Sequence, residues 1–415
     1  MIRPGVVPLW KMAFVAALAL TVTADAALAG VAPTGAGPDD VDIGASSATV
    51  DIGDFYRAPD PLPPARAGTV IRSRPITAPE GARGWRVLYH SRSDAGDDIA
   101  VSGMVFAPAG DPPREGRPVV AWAHGTTGIA DACAPTRSSN PALTIPWVRD
   151  LLDAGYVVAA TDYEGLGTAG IHPYLVGASE ARSVLDSIRA ARRLPTGASK
   201  DAVVFGHSQG GHSALFAGEI AKDYAPGIRL RGIAAGSPVA SPGDFVDHTV
   251  GSSGTLAFMV LGALGYQATY PELAAEPVLT TEGAARAAVA ERGCVREVMD
   301  AFEGSSAGEV FEAGARTAAL DARLRENAAG LRRSAVPVLY WQGEDDDLTP
   351  LDLAAAYAGR ACRKGTRLDY RIYAGTNHVT VLEAAHDDVL EFFATVLDGA
   401  RPRGNCDQLG DAVVR

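Results

Sequence analysis

The chain has 415 residues, 47% hydrophobic and 21% charged, a composition that supports a sizeable core in one large domain or two ordinary ones. Its formal net charge of −12 and sequence pI of about 5.2 argue against nucleic acid as a partner and against charge-driven binding to anionic membranes. Neutral lipid and apolar substrates stay compatible with that charge.

Residues 1–29 read as a signal peptide. Arg3 and Lys11 make a positive start, Met12 to Val22 is an apolar run too short to span a bilayer comfortably, and Ala27-Leu28-Ala29 offers a cleavage site before Gly30. An uncleaved anchor is the alternative. The absence of a twin Arg favours the general secretion route, so the protein is expected to be secreted, either extracellular or cell-wall associated, and the mature chain to carry no transmembrane segment. Residues 30–66, rich in Gly, Pro, Ala and Asp, read as a flexible lead-in that becomes ordered near Phe55-Tyr56.

From there short apolar runs alternate with helical stretches. Trp85–His90 and Ile99–Phe106 alternate like strands of an antiparallel edge. Pro118–Ala123, Tyr156–Thr161 and Ala202–Phe205 are the continuous apolar runs of buried strands, and Arg231–Ser237, Val336–Trp341 and Leu368–Tyr373 extend the series. Helical spacing covers Ala178–Arg193 and His212–Asp223. This order predicts an α/β fold, with a mostly parallel central sheet flanked by helices. Residues 241–334 interrupt it with Ala- and Gly-rich helical sequence and no convincing strand. They are expected to form an inserted helical cap between core segments 67–240 and 335–415.

Gly206-His207-Ser208-Gln209-Gly210 is a G-x-S-x-G motif placed after a buried strand and before a helix. A serine nucleophile needs that setting, because a sharp strand-to-helix turn projects its hydroxyl and tolerates only small residues two positions away. An ordinary Gly-rich turn is the bland alternative. The backbone N–H of Gln209 would supply half of an oxyanion hole. The loop His124-Gly125-Thr126-Thr127, following the strand of Pro118–Ala123, would give the other half from Thr126 or Thr127, with a threonine hydroxyl as a further donor.

In this architecture the acid and then the base follow the serine along the chain. The loop after Trp341 carries Glu344, Asp345, Asp346 and Asp347, and the spacing Gly343-x-x-Asp346-x-x-x-Pro350 selects Asp346, with Asp345 and Asp347 left as solvated or capping acids. The cluster lacks the spaced ligands and Gly of a calcium-binding EF-hand loop, and no metal site is expected. Of the histidines beyond it, His378 lies just after the strand Leu368–Tyr373, whereas His386 falls in the next helix. His378 is therefore the candidate base. Gly165-Leu166-Gly167-Thr168-Ala169-Gly170 matches a dinucleotide fingerprint, yet Pro173 follows, no helix opens at the third Gly, and no ribose-binding acid follows at the expected distance. It reads as a turn beside the pocket.

Four cysteines, Cys133, Cys294, Cys362 and Cys406, suggest two disulfides in an exported chain; spacing alone permits three pairings, and no C-x-x-C is present to suggest zinc or redox chemistry. From Phe55 onward the chain resembles the secretory lipases of the lipase A type. The likeness is carried by FYRAP, HGTTG followed by Cys133-Ala134-Pro135, TDYEGLG, GHSQGG, GEDDDLTP and GTNH. The resemblance implies an α/β-hydrolase core, a helical cap over an acyl pocket, cofactor-free hydrolysis of carboxylic esters, and the pairings Cys133–Cys294 and Cys362–Cys406. An acidic side chain assists the oxyanion hole in some members; HGTTG stands there in this chain.

Within the cap, Thr255–Tyr266 is apolar nearly all round, which suits a helix lining an acyl tunnel or meeting lipid, and equally one buried on the core. The leading expectation is a monomeric triacylglycerol lipase or long-chain esterase acting on acyl esters, with a lipid–water interface as one setting. Esterase activity on short or polymeric esters, acyl transfer, and a binding module without chemistry are the competing readings.

Overall fold

The computed structural model describes residues 52–250, 253–274 and 277–409. The signal-peptide segment and the first part of the lead-in lie outside these. Nine strands form one sheet in the order β1-β2-β3-β5-β4-β6-β7-β8-β9. They are β1 (Val70–Ile76), β2 (Ala82–Arg92), β3 (Asp98–Pro108), β4 (Arg117–Ala123), β5 (Val157–Thr161), β6 (Ala198–His207), β7 (Arg229–Gly236), β8 (Val338–Gly343) and β9 (Leu368–Tyr373). The first three and the β3–β5 pair are antiparallel, and everything from β5 through β4 to β9 is parallel.

The central strands are apolar at successive positions because both faces are covered. Along β4, Val119, Ala121 and Ala123 pack into one core while Val120 and Trp122 enter the other. On β6, Ala202 and Val204 share the first core and Val203 and Phe205 the second. Helix Gly177–Ala191 and helix Gln209–Tyr224 cover the first face, and helices Val148–Asp153 and His386–Leu397 the second. The alternation predicted from sequence is present, with one strand added. β1 (VIRSRPI) is only partly buried, and its polar residues give it the pattern of an edge.

The helix after Ser208 starts at Gln209 instead of His212, so the Gly-rich turn shrinks to a single residue. Gly210 and Gly211 are helical; they are glycine because their helix turn is pressed against Ala123 and Pro238. Of the predicted lead-in, residues 52–66 contain the short helix Ile52–Tyr56, which buries Phe55 and Tyr56 beside Leu88.

Between β7 and β8 the described residues include helices Pro242–Thr249, Leu256–Thr269, Thr281–Ala287, Val295–Phe302, Ala307–Val310 and Ala318–Glu326, with a single isolated bridge from Leu279 to Phe311. They share a core of their own built on Phe245, Val260, Leu261, Val298 and Phe302. Disulfide Cys133–Cys294 joins this helical region to the loop after β4, and Cys362–Cys406 holds the C-terminal segment to helix Leu351–Arg363. Next to the first bridge, the Val295 N–H donates to the Thr127 carbonyl at 2.8 Å.

Asp162 fixes the same loop from the sheet side. Fully buried at the end of β5, it accepts from Ser102 Oγ at 2.6 Å, from the Thr136 N–H at 3.0 Å, and from the Thr136 hydroxyl. Burial raises its pKa, and these donors oppose the rise.

Phe205 sits at the centre of the second core, with ring centroids 4.6 Å from Trp122 and 5.7 Å from both Trp147 and Phe393. Truncating it leaves a cavity that the surrounding strands and helices cannot collapse. Phe205→Ala is expected to cost about 3–5 kcal/mol, read as a lower urea midpoint with an unchanged slope.

Candidate active site

Ser208 lies between the end of β6 and the first residue of the helix, at φ 59° and ψ −121°, a conformation unfavourable for an L-residue. Two glycines make it reachable. A Cβ on Gly206 would lie 2.0 Å from the Gly210 carbonyl oxygen, and one on Gly210 would lie 1.8 Å from that of Ala123. The Ser208 N–H donates to the Gly236 carbonyl at 2.9 Å, which pins the turn to β7. Its side chain is almost covered, at 9% residue exposure, and its hydroxyl makes no hydrogen bond among the described residues.

Asp346 and His378 meet directly. His378 Nδ1 is 2.9 Å from Asp346 Oδ2 and 3.1 Å from Oδ1. Asp346 also accepts from Gln342 Nε2 (2.9 Å), the Thr349 hydroxyl (2.9 Å) and the N–H groups of Leu348 (3.1 Å) and Thr349 (2.9 Å). Burial alone would raise its pKa; the His378 hydrogen bond and charge and the Thr349 N–H outweigh that and hold it at about 2. Asp345 and Asp347 are exposed on either side, so the geometry singles out the middle acid of the three. The loop carrying Asp346 is tied to the one carrying His378 by the Asp345 N–H, which donates to the Thr376 carbonyl at 2.9 Å.

His207 connects this pair to the serine turn. Its ring centroid lies 4.7 Å from that of His378, the two rings tilted at 54°, and its Nε2–H donates to the His378 carbonyl at 2.7 Å. Burial, with the nearby His378 charge, lowers the His207 pKa to about 3, so it stays a neutral donor. The predicted base is therefore held by its backbone from the residue next to Ser208 and by its ring from Asp346. His386 lies elsewhere, between Asp387 and Asp150 and against the Trp147 ring.

The loop after β4 runs against the turn: a Cβ on Gly125 would be 3.8 Å from that of Ser208. Thr126 Oγ1 is paired with the Tyr174 hydroxyl at 2.9 Å, whereas Thr127 Oγ1 is buried without a partner. Gln209 is clamped from behind. Its Nε2 donates to Glu180 Oε1 at 2.8 Å and to His172 Nε2 at 2.7 Å. Glu180 is fully buried and also accepts from the Leu175 N–H (3.0 Å) and Ser213 Oγ (2.7 Å), with His212 Nδ1 at 3.0 Å. Burial would raise its pKa, yet His212, His172 and these donors bring it below the ordinary value. His172, lowered by burial to about 4, is neutral and can accept from Gln209.

Glu180, His207, Gln342, Thr349 and Tyr174 were not singled out by motif. For Thr349 the signal was available in the Asp-Leu-Thr-Pro run. The G-x-G-x-x-G stretch forms turns: Gly165 at φ 73° packs on His172, and Gly167 at φ 77° on Tyr56.

Within the helical region lies a cavity of about 410 Å³. Phe258, Met259 and Gly262 of helix Leu256–Thr269 line it, facing Phe245, Phe311 and Leu324. The opposite face of that helix (Leu256, Val260, Leu261) is buried in the cap core, so the helix lines a cavity on one side and packs on the core on the other.

The model of the family described as "Secretory lipase" matches residues 139–403. Lipase A of Moesziomyces aphidis is 24% identical over 85% of this chain and 81% of its own length. The secreted triacylglycerol lipase LIP4 of Malassezia globosa is 29% identical over 55% of this chain and 53% of its own length. Among solved structures, Candida antarctica lipase A superposes with a TM-score of 0.73 at 20% identity, covering 85% of this chain and 87% of that one.

The Asp346 carboxylate gives a pH test. Its folded pKa of about 2 lies below the ordinary 3.8, so its stabilisation is complete above about pH 4 and is lost as pH falls through 2. The acid-unfolding curve of Asp346→Asn is expected to be flatter than that of the wild type in this window and lower in stability at pH 7. Thermal melts from pH 7 to pH 2 measure both.

Proposed function

The chain belongs to the secretory lipase family, and from that premise we propose that this secreted carboxylic ester hydrolase works through an acyl-enzyme on Ser208, with His378 as base, Asp346 as its partner, and long-chain acyl esters such as triacylglycerols as substrates. The observation that carries the reading is the Asp346–His378 pair held beside a serine in a strained strand-to-helix turn.

Asp346 occupies His378 Nδ1, which leaves Nε2 to take the Ser208 proton. The alkoxide oxygen adds to the acyl carbonyl. The N–H of Gln209 and one from Thr126 or Thr127 receive the resulting oxyanion. The Glu180 and His172 clamp on the Gln209 side chain keeps the start of the helix fixed while charge develops. The imidazolium then gives its proton to the leaving alcohol. Water repeats the sequence on the acyl-enzyme and frees the acid.

The apolar cap cavity supports a long acyl chain, since each buried methylene contributes about 0.8 kcal/mol. Two exposed apolar side chains, Val379 directly after His378 and Leu143, suit contact with a lipid–water interface. Among the described residues no helix is long and apolar enough to cross a membrane. We read the enzyme as a monomer with residues 67–240 and 335–415 as its core and 241–334 as its cap.

The test is a p-nitrophenyl ester series from acetate to palmitate. Activity is expected to rise toward long chains and to fall by roughly 10⁴-fold or more in Ser208→Ala. Activity confined to short chains would replace the lipase by a small-ester esterase; activity equal in the mutant would remove the mechanism.

Gly262 tests the cavity separately. A Cβ there meets open space, so Gly262→Leu projects into the cavity and improves helix propensity at once. It is expected to lower kcat/KM for palmitate about tenfold or more, leave acetate within about twofold, and keep the melting temperature or raise it.

A further inference from the structure

On this acidic molecule, a cavity of about 720 Å³ is lined by five arginines, Arg66, Arg92, Arg189, Arg192 and Arg193, together with Tyr224. Its residues come from separate stretches of chain: the turn before β1, the end of β2, and the C-terminal ends of helices Gly177–Ala191 and Gln209–Tyr224. The turn is seated closely on the helix. Gly68, at φ 76°, approaches so near that a Cβ there would lie 2.1 Å from the Arg189 Cβ.

Two of the five arginines are committed to the fold. Arg189 pairs with the buried Asp186 at 2.5 Å and donates to the Tyr224 carbonyl at 2.7 Å, which closes the end of the second helix. Arg92 pairs with Asp98 at 2.5 Å and donates to the Ala65 carbonyl at 2.6 Å. The other three have no such task. Arg66 and Arg193 are exposed and their side chains make no ion pair or hydrogen bond among the described residues, where the Nε of Arg192 is also buried without a partner. Cations near a helix C-terminus favour its dipole, but among the described residues no guanidinium of these three bonds a terminal carbonyl. Converging guanidinium groups repel one another, and burial of a donor without an acceptor adds a further cost. Both terms reverse when a multiply charged oxyanion enters.

We propose that this cavity is a binding site for a soluble anion bearing two or more phosphate groups. A volume of about 720 Å³ lined by five arginines calls for several charged oxygens, more than one phosphate presents. An anionic bilayer is the less suitable source, because the site is concave and the molecule as a whole carries −12. A small anion in the cavity feels the local charge and is screened from the rest within roughly 10 Å at 0.1 M salt. The site is remote from the nucleophile. Helix Gln209–Tyr224 starts beside Ser208 and ends at the cavity, 16 residues away, a length of about 24 Å. Bound anion and ester substrate therefore do not compete.

The experiment titrates the intact protein with tripolyphosphate by calorimetry and thermal melting, against sodium chloride of equal ionic strength. One-to-one binding is expected, with a rise of several degrees in the melting midpoint and no change in KM for a p-nitrophenyl ester. Arg66→Gln/Arg192→Gln/Arg193→Gln is expected to weaken binding at least about tenfold with hydrolysis unchanged, while Arg114→Gln/Arg149→Gln binds like the wild type. Binding no stronger than in the salt control, or equal affinity in the triple variant, would overturn the proposal. So would flotation with phosphatidic acid vesicles in the absence of tripolyphosphate binding, which would assign the patch to a membrane surface. Should the triple variant lose its hydrolysis, Arg66→Gln/Arg193→Gln, which changes only exposed unpaired side chains, decides the same question.

Discussion

The site depends on one backbone conformation that an L-residue resists. Ser208 is held at positive φ because the strand before it and the helix after it are forced together, with Gly206 against the Gly210 carbonyl and Gly210 against that of Ala123. The strain, of order 1–3 kcal/mol, is stored by the sheet: β4, β6 and β7 all contribute a contact to the turn. Nothing flexible could hold it. This explains why Ser208 stands at the middle of a sheet buried on both faces.

The second requirement is electrostatic, and buried carboxylates meet it in different ways. Asp346 is ionised because a histidine and several donors surround it; Glu180 is kept ionised by His212, His172 and Ser213. Glu219, also buried, has weaker support from the N–H groups of Gly330 and Arg332, and burial raises it to about 7. The comparison shows what fixes the charge: the number and type of partners, at similar burial. The two strongly solvated groups flank the serine turn, one in front at the imidazole and one behind at Gln209.

Much of this was legible in the sequence. The double-sided apolar runs of β4, β5 and β6 identify the central strands, and the chain order of Ser208, Asp346 and His378, each just after a strand, is enough to place the three candidates. β1 was not legible because the residues of VIRSRPI face solvent at one edge and carry no apolar alternation. The start of the helix at Gln209 was obscured because Gly210 and Gly211 read as a turn; only the closeness of Ala123 and Pro238 explains them as helix. Glu180 carries no local signal in the helical stretch, and its place depends on Leu175, Gln209 and Ser213 folding around it. The arginine cavity is assembled from positions 66, 92, 189 and 192–193, which no local pattern connects.

The disulfides divide the catalytic groups in a way that matters outside the cell. Cys133–Cys294 closes a covalent ring of chain that contains Ser208 and much of the cap, and Cys362–Cys406 closes another that contains His378. A peptide bond cut at an exposed cap turn before Cys294 leaves both products joined. A cut in the tail between Cys362 and Cys406 does the same for the segment carrying the imidazole. The stretch between the rings, with Asp346 in it, lacks that insurance, as do the residues before Cys133 and after Cys406; around Asp346 the chain is secured by β8 in the sheet and by the hydrogen bonds on the carboxylate. The chain can thus be nicked within either ring and still keep its parts together.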